Sequence, residues 1–229
     1  MEKEQGWIFF DIDGTLLYAR GAGREAFRLA FDEALGWDQG VEHINFYGAT
    51  DLDVFRRIAT DRGETSTPEM ETAFFERLGH HLDIRLAQTP PELFPNIGSI
   101  VPKLAEKWNL GIITGNIEAT AKSKLKYAGL LEYFEPNGFG CGCDHPDRIE
   151  IARLALKRAG NPTPTVLIGD TPKDVLAARE NGMVSIAIAT GCFDVDVLKE
   201  AGADYVFKDL SATQQILVLL TDIFSPFGM

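Results

Sequence analysis

The stretch WIFFDIDGTL, residues 7–16, joins a four-residue apolar run to two aspartates one residue apart. Trp7–Phe10 is continuously apolar rather than alternating, as in a strand covered on both faces. Residues i and i+2 of a strand share a face. Asp11 and Asp13 would therefore stand together at the strand's C-terminal edge and repel each other unless a cation shares the site. Gly14 lets the backbone turn closely around a phosphate. Asp-Gly-Thr alone is also a common turn, so the reading depends on what the rest of the chain brings to the same edge.

Further apolar runs lie at Leu110–Ile113, Thr165–Ile168, Val184–Ala189 and Tyr205–Phe207. Between them the spacing predicts helices over Ile97–Lys107, Ala119–Ala128, Ile149–Ala159 and Asp174–Asn181. A final helix over ATQQILVLLTDIF is expected to dock on the sheet. Strand–helix alternation points to an α/β fold, a doubly wound parallel sheet with right-handed crossovers. From Leu17 to Leu93 only helical patterns occur, over Arg24–Leu35, Leu52–Asp61 and Pro68–Leu86. The prolines of AQTPPELFPNIG then disfavour helix and return the chain to the sheet pattern. The expected division is an α/β core from residues 1–16 and 94–229, with a small helical cap, 17–93, inserted after the first strand.

The chain has 229 residues and a formal charge of -12. Such acidity disfavours nucleic acid and anionic membranes as partners. No apolar run approaches the roughly 18 residues needed to span a bilayer. The N-terminal stretch lacks the features of a signal peptide. Three cysteines, an odd count, suit a reducing compartment, so a cytoplasmic location is expected. Cys141 and Cys143 have no second pair to complete a metal site and read as loop packing.

Three apparent strands end in polar residues: Asp11-Ile-Asp13-Gly14-Thr15, Thr114-Gly115-Asn116, and Gly169-Asp170-Thr171-Pro172-Lys173-Asp174. Ligands of open parallel sheets bind at that edge. Four aspartates there need a cation, and hard oxygen donors suit Mg²⁺. A carboxylate can also attack phosphorus to form an acyl phosphate, and a second can protonate the leaving alkoxide and later activate water. Thr171 to Asp174 also reads as a capping box with Pro172 at the first helical position.

DIDGTL, IITGN and IGDTPKDVLAA resemble the first, second and fourth motifs of the haloacid dehalogenase-like (HAD) hydrolases. FYGATDLDVFRRIA and VSIAIATG are similar to segments of the phosphoglycolate phosphatase-like branch, which carries a helical cap. The resemblance covers nearly the whole chain. It implies a Mg²⁺-dependent phosphatase for a small phosphorylated metabolite, working as a monomer or homodimer. By the same resemblance Asp11 is the nucleophile, Asp13 the general acid/base, and Thr114 a hydroxyl on the phosphoryl group. Asp11, Asp170 and the backbone carbonyl of Asp13 would bind the metal, with Asp174 supporting its shell. Gly14, Thr15, Gly115 and Asn116 would surround the phosphate.

The third motif departs from the family. A lysine followed by proline is usual there, whereas CGCDHPDRIEIARLAL has no lysine between Lys126 and Lys157. Arg148, in the first turn of a helix, is the expected replacement cation, because helical side chains lean toward the N-terminus. His145 is the second candidate, and a surface Arg148 paired with Asp144 or Asp147 is the alternative. A sugar-phosphate mutase would share every core residue, and a non-catalytic binding protein would share the fold. Arg20, Arg24, Tyr47, Thr50 and Asp51 are candidates to select the substrate. Eight arginines and no lysine in the insert predict a substrate with a second anionic group and no Schiff-base chemistry.

Overall fold

The computed structural model describes residues 6–37, 41, 44, 46 and 48–225. Six strands form one parallel sheet: β1 (Trp7–Phe10), β4 (Asn109–Ile113), β5 (Phe139–Gly140), β6 (Thr165–Gly169), β7 (Val184–Ile188) and β8 (Tyr205–Phe207). Their order is β5-β4-β1-β6-β7-β8. β1 is central and pairs in register with both β4 and β6, Phe10 standing beside Ile112 and Ile168. Every residue of β1 and β6 is buried, which is why their sequences are continuously apolar.

Helices cover both faces. On one lie α4 (Ile97–Lys107), α5 (Glu118–Tyr127) and α9 (Thr213–Phe224). On the other lie α6 (Arg148–Arg158) and α7 (Pro172–Glu180). The short α8 (Val195–Glu200) packs beside β7 through Leu198. α9 docks through Ile216, Leu220 and Phe224, as its sequence pattern predicts. Burying each such side chain contributes roughly 1.5–3 kcal/mol.

The chain leaves the sheet after β1 and enters β2 (Leu17–Tyr18), which pairs antiparallel with β3 (Glu92–Leu93). Between them stand α1 (Ala22–Leu35), α2 (Asp51–Asp61) and α3 (Pro68–Gln88). These helices share an aromatic core of their own. Phe31 and Phe74 lie 4.2 Å apart, and Phe31 stacks on Phe55 at 5.6 Å. The insert sits over α5. Ser123 Oγ and Tyr127 Oη donate to Asp83, and Asp51 accepts from the Ile117 amide at 2.8 Å. The two-residue strands β2, β3 and β5 are too short for any periodicity to reveal.

Candidate active site

β1, β4 and β6 deliver their C-terminal ends to one spot. Asp11 continues the ladder past β1, its amide donating to the Ile168 carbonyl at 3.0 Å. Its buried carboxylate meets those of Asp170 and Asp174, and ligand oxygens of all three lie within 4.8 Å of one another. Asp174 gets there as the fourth residue of the predicted capping box. Its Oδ2 accepts from the Thr171 amide and hydroxyl at 3.1 and 2.7 Å, while Oδ1 turns inward. Capping and site-building are therefore the same carboxylate's two ends. Thr15 Oγ1 donates to Asp170 Oδ1 at 3.1 Å. Gly14, at φ 84°, takes the left-handed turn expected of it and packs against Asp170.

Arg148 is buried at the start of α6 and reaches back across it. Its Nη2 lies 2.8 Å from Asp11 Oδ1 and 2.6 Å from Asp174 Oδ1. The surface pairing does not form: Asp144 holds Arg158, and Asp147 caps α6. His145 turns away, its Nδ1 accepting from the Asp147 amide at 3.0 Å. One guanidinium cannot balance three buried carboxylates. Burial pushes the Asp11 carboxyl up to about 6 despite Arg148, with Asp174 adding to the rise. Burial, then Asp11 and Asp174, push Asp170 up to about 8. An under-compensated set of hard oxygen donors fits a divalent cation.

The Asp13 carboxylate stands outside this cluster. Its Oδ2 accepts from Asn116 Nδ2 at 2.7 Å and meets Lys124 Nζ at 2.5 Å. Lys124 also donates to Asn116 Oδ1 at 2.6 Å, and Asn116 Nδ2 donates to Thr114 Oγ1 at 2.8 Å. The Thr114 hydroxyl accepts from Asn116 twice, through that amide and through the backbone N–H at 3.4 Å. Its own proton is left to point elsewhere. Lys124 escaped the sequence reading. KSKLK, residues 122–126, looks like a solvated charge run, yet Lys124 stands four residues after Thr120 and three after Ala121. All three, with Leu125, lie on the buried face of α5. That helical phase was the available signal.

Above these groups lies a cavity of about 750 Å³ between the insert and the sheet edge. Gly115 and Asn116 line it, and the Gly115 carbonyl accepts from the Asp51 amide at 2.8 Å. Asp51 lines the cavity half-buried, its carboxyl pushed up to about 6 by desolvation against the opposing pull of Lys124. Thr50 caps α2 and donates to the Pro146 carbonyl at 3.2 Å, tying insert to core. Arg24 lines the cavity, but its guanidinium holds the carbonyls of Val41 and Ile44 and stacks on Phe46. Arg20 pairs with Glu92, Arg56 with Glu71, Arg57 with Asp53, Arg77 with Glu33 and Arg85 with Glu25. Five of the eight insert arginines are thus paired with acids rather than turned to the cavity. Tyr47 lies outside the described residues. Cys141, Cys143 and Cys192 are free thiols, and among the described residues no metal-ligand cluster includes them.

The family model for haloacid dehalogenase-like hydrolases matches residues 6–182. The chain belongs to that family. It is 34% identical to "Probable phosphatase IndB" of Dickeya dadantii over 89% of this chain and 90% of that one. It is 24% identical to pyrophosphatase PpaX of Oceanobacillus iheyensis, covering 95% and 98%, and 22% identical to phosphoglycolate phosphatase of Vibrio vulnificus, again covering 95% and 98%. Among solved structures, CbbY from Rhodobacter sphaeroides in complex with phosphate superposes with a TM-score of 0.70 at 19% identity, over 91% of this chain and 95% of that one. That likeness is one of fold. No helix among the described residues is long and apolar enough to cross a membrane.

Proposed function

We propose that this hydrolase is a Mg²⁺-dependent phosphatase of the phosphoglycolate phosphatase-like branch, cleaving a small phosphate monoester through an aspartyl-phosphate intermediate. The observation that carries the reading is the convergence of Asp11, Asp170 and Asp174 at one sheet edge with Asp13 beside them, under a cavity. Asp11, Asp170 and the Asp13 carbonyl would hold Mg²⁺, with Asp174 supporting them. When bound, the metal would draw charge from the phosphoryl oxygens and balance the acidic cluster.

In this reading Asp11 attacks phosphorus in line with the leaving oxygen. Arg148 fixes the attacking carboxylate by its contact to Oδ1 and spans to Asp174, so the nucleophile cannot swing away. Thr114 donates its free proton to a phosphoryl oxygen. Asp13 gives a proton to the departing alkoxide, then takes one from the water that hydrolyses the phosphoenzyme. Lys124 and Asn116 hold Asp13 in place for both steps. Residues 17–93 act as a cap that excludes bulk water, over a core of 1–16 and 94–229. The free thiols support a cytoplasmic setting.

Phosphate release from a panel of esters, with Mg²⁺ and with a chelator, tests the proposal. Release is expected only with metal, and Asp11→Asn should stay folded and release none. Undiminished turnover by Asp11→Asn would remove Asp11 as the nucleophile. Turnover that needs a bisphosphate primer and frees little phosphate would make the protein a mutase.

A further inference from the structure

The cavity is large and its free wall is apolar. About 750 Å³ falls within the roughly 300–1,000 Å³ typical of sites for drug-sized ligands. The wall begins where a leaving group would depart. Asp13 bridges to Leu17, and the next residue, Tyr18, lines the cavity with 58% of its surface exposed. Leu93 and Phe94, on and just after the paired strand β3, continue the wall, and Phe46 of the insert lines the same cavity. An exposed aromatic beside a catalytic cleft is surface the fold has not used.

Charge argues the same way. The described lining carries five carboxylates, Asp11, Asp13, Asp51, Glu92 and Asp170, against three cations, Arg24, Lys124 and Arg148. A bound divalent metal would bring these charges level, leaving only directed contacts for one phosphoryl group. Arg24 is held by the Val41 and Ile44 carbonyls. Lys124 is held by Asp13 and Asn116, and Arg148 by Asp11 and Asp174. Among the described lining residues a second anionic group would find no uncommitted cation and would lie among carboxylates, the exposed Lys173 beside Gly48 standing outside that lining.

We propose that the substrate is a phosphate monoester of an apolar, uncharged alcohol larger than glycolate, its hydrocarbon part lying on Tyr18, Phe46, Leu93 and Phe94. This rests on the phosphatase reading, yet binding tests it independently of turnover. Calorimetry of the Mg²⁺-loaded protein with methyl-, butyl- and hexylphosphonate, which resist hydrolysis, should show affinity rising about two- to fourfold per methylene. A chain of matched length ended by a carboxylate, 6-phosphonohexanoate, should bind at least about tenfold more weakly than hexylphosphonate. Tyr18→Ser should flatten the alkyl series. Affinity independent of chain length, or equal binding of the carboxylate-ended ligand, would overturn the inference. Phosphate release measured alongside separates the two proposals. Release with a flat series sinks this one alone, a steep series without release sinks the phosphatase reading alone, and no binding by any phosphonate counts against both.

Discussion

Replacing Arg148 by alanine perturbs the site most directly. Its guanidinium makes contacts of 2.6, 2.8 and 2.9 Å to Asp174 and Asp11, and the three side chains are 5%, 3% and 7% exposed for Arg148, Asp174 and Asp11. A cation that served the phosphate alone would, when removed, cost activity and little stability. The structure revises the second half, because the variant leaves buried carboxylates without their counter-charge. Breaking such a buried pair costs about 3–5 kcal/mol. That lowers the folded-to-unfolded ratio roughly 10²- to 10⁴-fold. The cost should depend on pH. Burial holds Asp11 and Asp170 above their ordinary value of 3.8, at about 6 and about 8, while Arg148 pulls both down. A raised carboxyl contributes stability that is full below the unfolded value and is lost as pH rises through the folded one. Without Arg148 both values climb further, so the deficit should be smaller near pH 5 than near pH 8. Urea unfolding of metal-free wild type, Arg148→Ala and Arg148→Lys at both pH values reads this directly. Lysine should lie between, since one ammonium cannot span both carboxylates as the planar fork does. Mg²⁺ should return part of the loss at pH 8, and activity of the alanine variant should fall by roughly 10²–10³. A deficit under about 1 kcal/mol at pH 8, or one that is equal at the two pH values, would refute the view of Arg148 as the cluster's counter-charge.

Lys124→Met should slow both phosphoenzyme formation and its hydrolysis by roughly 10², since Asp13 serves each step; single-turnover kinetics that match wild type in either step would contradict this. Gly191→Ala would place a Cβ 1.7 Å from Asp170 Oδ2, so metal affinity measured by calorimetry should collapse, and unchanged affinity would show that Asp170 is not a ligand. The insert from 17 to 93 has no lysine, so borohydride with phosphonoacetaldehyde should leave no covalent adduct and no carbon–phosphorus cleavage should occur; an adduct on any active-site lysine would refute that.

The alternation of apolar runs and helical patterns was enough, by itself, to reveal the parallel sheet, because each strand buried on both faces must be apolar throughout. The same local rules placed Asp11, Thr114 and Asp170 just past strand ends, and there the fold keeps them. Helix limits such as Ile97–Lys107 came through for the same reason: amphipathic phase is a property of neighbouring residues. What depended on distant residues did not show. The pairing of β2 with β3 joins two residues to two others across the whole insert. The inward turn of Lys124, the burial of Arg148 between Asp11 and Asp174, and the pairing of most insert arginines with acids are likewise set by which surfaces meet. The arginine count suggested a second anionic group, but the count could not show that tertiary packing pairs five of the eight with acids. Charge is written in the sequence, but whether a charge is free is decided only by its neighbours in space.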